Sequence, residues 1–244
     1  MDISLNKYIS ETGFCSRREA DKLIEAGRVF INSKEARKGN RVQENDVVKI
    51  DGQSLKSKAM PVYLMLNKPR GITCTTDLKD KSNIIDFINF NKRIFPIGRL
   101  DKLSEGLIFL TNDGDIVNKI LRAGNGHEKE YIVTVDKTID YEFIKKMSNG
   151  LPVLGTITKK CFVKQEGEKQ FRIILTQGLN RQIRRMCAVL GYKVTSLTRV
   201  RIMKITLSGL GKGKWRSFTS NEIAEINSMI ANSSKTADAE GMGE

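Results

Sequence analysis

From Val62 onward the chain carries a succession of short apolar runs, VYLML, GLIFL, YIVTV and FRIIL. They are set between segments of helical character at Ile116 to Leu121, Tyr141 to Met147 and Gln182 to Leu190. Runs this short suit strands better than helices, and strands alternating with helices in this way predict an α+β domain on a largely antiparallel sheet. A closing helix is predicted over 221 to 231. The final stretch, ANSSKTADAEGMGE, is polar and poor in bulky side chains, which predicts an unfolded tail over 232–244.

The first fifty residues read as a separate small module. An apolar stripe at Leu5, Tyr8 and Ile9 marks one helix, and Ala20, Leu23 and Ile24 mark a second. Ser16 and Glu19 form a capping box at the start of the second helix, and Gly27 is placed to stop it. Val29 to Ile31 and Val47 to Ile50 then read as short strands on either side of a polar loop. Basic side chains gather around the helices at Lys7, Arg17, Arg18, Lys22 and Arg28. Taken alone, Arg17 and Arg18 suit a solvated helix face as well as an RNA-facing one. Residues 51 to 61, DGQSLKSKAMP, are polar and end in proline, as a connection between modules would be. The expected division is a module over 1–55, a linker over 56–61 and a larger domain over 62–231.

Charge narrows the partners. Lysine and arginine number 42 against 28 acidic residues, a formal charge of +14, which calls for a polyanion: nucleic acid or an anionic membrane. No apolar run approaches the roughly 20 residues that span a bilayer, and residues 1 to 30 lack the apolar core of a signal peptide. A cytoplasmic protein with no membrane partner is expected. Cys15, Cys74, Cys161 and Cys187 lie far apart, and His127 is the only histidine. Reduced thiols, and no metal site, follow from that. There is no phosphate-binding G-x-x-x-x-G-K-[ST] loop, and Gly209, Gly211 and Gly213 do not fit a dinucleotide fingerprint, so no cofactor is expected.

Several polar residues stand where chemistry is possible. In FPIGRLDKLSEGLIFLTNDG, Asp101 follows a glycine-arginine-leucine turn and precedes the apolar run Leu107 to Leu110, on a loop braced by a buried strand. An aspartate there, read alone, is usually a turn or capping residue. In NRQIRR, Arg181 and Arg184 lie one turn apart on the same face of a helix, and Arg185 points about 100 degrees away from Arg184. Lys129 and Tyr131 in KEYIVTV share one face of a strand. Arg99 in GRLD either orients its loop or holds a nucleotide backbone. His127, in the glycine-rich polar stretch AGNGHEKE, reads as a surface or RNA-contacting residue and not as a general base.

Two resemblances bind these fragments together. The stretch LNKYISETGFCSRREADKLIEAGRVFINSK resembles the S4 RNA-binding domain, whose helix pair docks on structured RNA. The segments LNKPRGI, FPIGRLDKLSEGLIFLTNDG, KEYIVTV and QGLNRQIRRMCAVLGY resemble the RsuA/RluB/E/F group of ribosomal RNA pseudouridine synthases, and are most like its RluF type. The likeness runs from the N-terminal module to about Trp215. It implies a mixed, mainly antiparallel sheet with flanking helices and a central cleft, and a monomer that isomerises a uridine in 23S rRNA; that type is also associated with tyrosine tRNA.

Residue by residue, the resemblance makes Asp101 the nucleophile, Arg184 its cationic partner and Tyr131 the aromatic face for the target base. Leu175 lines the uracil pocket, Arg181 and Arg185 become candidates for phosphate contact, and Lys129 for phosphate contact or for shaping the site. The competing reading is a non-catalytic RNA-binding or ribosome-assembly protein on the same scaffold, which has no need of a buried ion pair between Asp101 and Arg184. A methyltransferase would need a glycine-rich cofactor loop that the sequence lacks.

Overall fold

The computed structural model describes residues 2–55, 58–122 and 125–233. The tail expected over 232–244 lies outside the described residues from 234 onward, as do 56 and 57 of the expected linker. The chain forms two compact units. One takes Met1–Val62 with Asn91–Ile94 and Asn112–Gly114; the other takes Tyr63–Phe90, Phe95–Thr111 and Asp115–Glu244.

In the first unit, β1 (Ile3–Ser4) leads into α1 (Leu5–Glu11) and α2 (Arg17–Glu25), followed by β2 (Val29–Ile31), β3 (Lys34–Glu35), β4 (Arg41–Val42), β5 (Val48–Ile50) and β6 (Gln53–Ser54). The capping box at α2 is formed. The Ser16 hydroxyl accepts from the Glu19 amide at 3.2 Å, and the Glu19 carboxylate accepts from the Ser16 amide at 2.8 Å. These bonds satisfy amides that a helix start leaves without partners. Leu5, Ile9, Ala20 and Ile24 pack on Val29, Val48 and Ile50 in one core. The strands order as β3-β2-β5-β6, and β1 pairs with β4. Gln53–Ser54, within the stretch read as a connection, close a hairpin on β5.

The second unit is built on a nine-stranded sheet. Its elements are β7 (Tyr63–Lys68), α3 (Ile84–Ile88), β8 (Phe95–Ile97), β9 (Glu105–Thr111), α4 (Gly114–Leu121), β10 (Lys129–Val135) and α5 (Tyr141–Asn149). After them come the short pair β11 (Pro152–Val153) and β12 (Thr156–Ile157), then β13 (Phe162–Gly167), β14 (Gln170–Leu175), α6 (Gln182–Val189), β15 (Val194–Ile202), β16 (Ile205–Thr206), β17 (Trp215–Ser217) and α7 (Ser220–Ile230). The sheet runs β13-β14-β10-β15-β9-β7-β17, with β16 on β15 and β8 on β9. Every apolar run read as a strand, and every segment read as a helix, is found within a residue or two of its expected place. The α+β class with a mixed, mainly antiparallel sheet is therefore correct.

Among the described strands of this sheet, only the join between β9 and β15 is parallel, with Glu105 opposite Thr198 and Gly106 opposite Arg199. It separates two apolar cores. One gathers Phe143, Met147, Phe171, Ile173, Ile183 and Met186; the other gathers Met65, Phe109, Ile116, Ile120, Ile226 and Ile230. β15 occupies the centre of the sheet yet escaped the sequence reading, because VTSLTRVRI mixes threonine, serine and arginine into a strand whose neighbours bury it on both edges.

At the join, Gly106 has a φ of +104°, and a Cβ built there would lie 2.2 Å from the carbonyl oxygen of Arg199 and 2.7 Å from its amide nitrogen. The backbones meet too closely for any side chain, and the dihedral itself disfavours one. Gly106→Ala is expected to lower stability by on the order of 2 to 6 kcal/mol, the sum of strained-backbone and overpacking costs. Urea unfolding followed by circular dichroism measures this, and an unchanged midpoint would show that the join tolerates a side chain.

Candidate active site

The loop between β8 and β9, the start of β10, the end of β14 and the approach to α6 together wall a cavity of about 570 Å³, adjoined by a smaller recess of about 100 Å³. Asp101, Tyr131, Arg99 and Arg181 line both, Lys129 lines the larger, and Leu175 and Arg184 line the smaller. Seven of the residues singled out in the sequence are thus brought to one place from four separate segments.

Asp101 sits on a braced turn. Its carbonyl accepts from the Ser104 amide at 2.9 Å, and the buried Leu100 donates its amide to the Cys74 sulfur at 3.4 Å. The carboxylate remains 35% exposed toward the cavity, and its Oδ2 lies 3.6 Å from Nε of Arg184, a side chain only 12% exposed. At that distance the pair is in ionic contact without a formed hydrogen bond. The guanidinium is held from behind: Nη2 donates to the Ser104 hydroxyl at 3.2 Å and the Leu103 carbonyl at 3.4 Å, and Nη1 to the Val194 carbonyl at 3.4 Å. Nε alone has no hydrogen-bond partner among the described residues and is turned toward the carboxylate. Burial draws the Arg184 pKa down and the charge of Asp101 acts against that shift. Removing the carboxylate would leave a buried cation uncompensated, which is costly.

Tyr131 lies on β10 opposite Ile173 of β14 and Arg199 of β15, just after a register shift between Glu130 and Tyr131. The neighbouring Glu130 points to the other face, where it pairs with Arg172 and with Arg201, the latter at 2.5 Å. That cluster pins the bulge while Lys129 and Tyr131 share the cavity side, as strand alternation predicts. Leu175 is buried and stands opposite Lys129 in the β10–β14 register.

Two expectations need correction. Arg181 does not share a helix with Arg184: α6 begins at Gln182, and Arg181 is its N-cap with a left-handed φ of +50°. This conformation still turns Arg181 to the cavity. Arg185, a candidate for phosphate contact, is exposed outside the cavity lining and donates to the Asn180 carbonyl at 3.0 Å and side-chain oxygen at 3.2 Å. His127 is buried and not a surface residue, with Nε2 3.0 Å from the Ser233 hydroxyl, and burial followed by the nearby Lys129 charge lowers its pKa. In the first unit Arg17, Arg18, Lys22 and Arg28 are exposed. Arg17 donates to Asn6, Arg28 pairs with Asp51, and Lys7 pairs with Glu11.

Two cations were missed. Lys68 of LNKPRGI is wholly buried, donating to the carbonyls of Pro69 at 3.0 Å and Ile72 at 2.9 Å. Arg199 is 4% exposed, lines the larger cavity, and donates Nε to the Leu107 carbonyl at 2.7 Å. Only its phase with Leu197 along the strand hints at an inward direction.

A catalytic-type carboxylate braced by a buried arginine, beside an aromatic ring and an apolar wall on a mixed sheet, fits the family that the sequence itself matches. Residues 62–189 match the RNA pseudouridylate synthase family, and residues 4–48 match the S4 domain. The chain belongs to the RNA pseudouridylate synthase family and is an RNA pseudouridine synthase carrying an S4 domain. It is 58% identical over 234 residues to the dual-specificity RNA pseudouridine synthase RluF of Escherichia coli (strain K12), covering 95% of this chain and 81% of that protein. The ribosomal large subunit pseudouridine synthase B of Bacillus subtilis (strain 168) is 34% identical over 234 residues, covering 92% and 96%. A crystal structure of a pseudouridylate synthase superposes with a TM-score of 0.67 at 28% identity, covering 92% of this chain and 99% of that one.

The Lys129 ammonium is held down to about 8 by burial and, secondly, by the positive charge of Arg199. Removing that neighbouring charge favours the protonated form, so Arg199→Gln should move the Lys129 titration upward, toward 10.5. Nitrogen NMR of the lysine Nζ from pH 6 to 11 reads both values. A wild-type titration above pH 10 would contradict the burial described.

Proposed function

We propose that this enzyme isomerises a uridine of 23S ribosomal RNA, and a uridine of tRNA as a second substrate, with Asp101 as its nucleophile. The observation that carries the assignment is the 3.6 Å contact between Asp101 and Arg184 at a recess that also presents Tyr131 and Leu175. The choice of RNAs is supported by the relatives, one named for dual specificity and another for the large ribosomal subunit.

The reaction breaks the bond from uracil N1 to C1′, turns the base, and forms a bond from C5 to C1′. C5 gives up a proton and N1 gains one, so no electrons are exchanged. Asp101 must be ionised to add to the base or to assist departure of the base from the sugar, and Arg184 supplies the fixed positive charge that favours the carboxylate in a confined site. The target base has to leave its stack to reach that carboxylate. The Tyr131 ring offers a face worth roughly 1 to 3 kcal/mol of stacking, and Leu175 an apolar wall that excludes water. Arg99 and Arg181, exposed at the rim, are placed to hold backbone phosphates, and Lys7, Arg17, Arg18, Lys22 and Arg28 of the S4 domain to bind structured RNA. Arg185, bonded to Asn180, is left out of the recess and contacts RNA only from outside it. We assign the S4 module to 1–55, the linker to 56–61 and the synthase domain to 62–231. The enzyme is read as a cytoplasmic monomer; no described helix is long and apolar enough to cross a membrane.

Purified enzyme incubated with transcripts of 23S rRNA and of tRNA, followed by pseudouridine mapping, tests the substrate assignment. One modified position in each RNA is expected, and modification of neither would overturn it. Asp101→Asn should abolish product while RNA affinity stays within about twofold, because many basic contacts supply binding and one carboxylate the chemistry. Product at the wild-type rate would remove Asp101 from its role.

Tyr131→Phe keeps the ring and Tyr131→Ala removes it. If the hydroxyl moves a proton in addition to the ring stacking, Phe binds RNA normally and reacts slowly, whereas Ala loses both properties. Single-turnover rates at saturating enzyme separate these, and a Phe variant at full rate would leave the ring as a platform only.

A further inference from the structure

Two positive side chains on the wall of the larger cavity have no counter-charge. Lys129 is 7% exposed and Arg199 4%, and both line the same space as Asp101. Among the described residues neither is paired with a carboxylate, and they face each other closely enough that the charge of Arg199 acts on Lys129. Their hydrogen bonding is also incomplete. Lys129 donates one bond, to the His127 carbonyl at 3.2 Å, out of the three an ammonium can make. Arg199 donates Nε to the Leu107 carbonyl, but its Nη2 is buried and has no partner among the described residues. Asp101 does not fill this role, since its carboxylate is engaged by Arg184.

Two adjacent buried cations with donors to spare are expensive to maintain unless an anion completes them. The uracil base is neutral, so its carbonyls can accept a hydrogen bond but cannot cancel the charge. The anion that RNA brings is the phosphodiester, whose non-bridging oxygens suit the planar donors of an arginine and the point charge of a lysine. We propose that Lys129 and Arg199 form a buried site for one phosphodiester of the RNA strand, next to the nucleotide that Asp101 attacks. The inference rests on the reading of this cavity as the uridine site. Exposed arginines at the rim track a backbone loosely through solvent; a desolvated pair fixes one phosphate, and with it the placement of the neighbouring sugar.

The test couples an altered phosphate to an altered side chain. A synthetic stem-loop carrying the mapped uridine is made with an uncharged methylphosphonate at each flanking linkage in turn, and binding is measured with the full chain bearing Asp101→Asn to stop turnover. One linkage should weaken binding on the order of tenfold to a hundredfold, the range of charge-assisted hydrogen bonds. Adding Lys129→Gln should erase the sensitivity of that linkage alone and lower the slope of log affinity against log salt by about 0.7, the value for one phosphate contact on a single strand. Lys129→Arg should restore the sensitivity. Arg199 also bonds β9, so Arg199→Gln is compared only if its unfolding midpoint is unchanged, and the Lys129 series decides the matter without it. Equal sensitivity of every linkage with and without Lys129→Gln would overturn the phosphate site while wild-type enzyme still forms pseudouridine on the unmodified RNA. No pseudouridine from wild-type enzyme would overturn the underlying reading instead.

Discussion

The synthase unit depends on the close approach of two backbones at the parallel join of β9 and β15. Each side of that join has its own apolar core and its own helices, and Ile202, Met203 and Ile205, from the end of β15 into β16, reach across into the core of the β9 side. Beside that shared packing, a short parallel contact unites them, in which Gly106 faces Arg199 with no room for a Cβ, reinforced by the bond from Arg199 Nε to the Leu107 carbonyl. Parallel pairing has consequences for chemistry. It sets the entrance of β9, and therefore the loop carrying Asp101, against the half of the sheet that carries Tyr131, Leu175 and α6. A ligand crevice at a change of strand order follows the same geometric logic as in other open sheets. Asp101 comes from one half, and Arg184 and Tyr131, which line the same recess, come from the other.

Electrostatics at this seam is unusual in its sign. Arg184, Arg199, Lys129 and Lys68 are all buried or nearly so, and Asp101 is the carboxylate that meets Arg184. Lys68 is contented with two carbonyls, and burial draws its pKa down. Such a concentration of desolvated positive charge lowers stability in the free protein. On the phosphate site proposed above, a polyanionic substrate would supply the missing counter-charge at the place where position matters most.

The parts of this architecture that were legible in the sequence are those written in local patterns. VYLML, GLIFL and FRIIL are strands because apolar runs of that length cannot satisfy a helix, and Ser16 with Glu19 marks a helix start because both capping bonds lie within one turn. Asp101, Tyr131 and Arg184 were found through motif resemblance, since nothing in their local spacing distinguishes them from turn, edge and surface residues. What remained hidden is set by tertiary contact. β15 owes its existence to partners on both edges, not to its own alternation. The burial of Lys68 depends on a loop folding back to offer Pro69 and Ile72 carbonyls, and that of His127 on a hydroxyl more than a hundred positions away at Ser233. Arg181 adopts a left-handed backbone that a simple helical wheel through NRQIRR does not anticipate.

On the proposed reading, exposed and buried cations divide the labour of RNA recognition. Arg17, Arg18 and Lys22 are exposed on α2, readable as a basic helix face, and the contribution proposed for them is the salt-dependent kind that any phosphate backbone can satisfy. Such contacts gather RNA without choosing where along it the enzyme rests. Arg184, Arg199 and Lys129 are buried, so each has little freedom to follow a moving partner, and a group that meets them must arrive at a fixed position. On the proposed reading, affinity belongs mainly to the exposed basic side chains of α2, and register to the cations desolvated in the sheet. A surface charge can be lost with modest effect, whereas a displaced Arg199 disturbs the β9 join and the cavity wall at once, because the same guanidinium serves both.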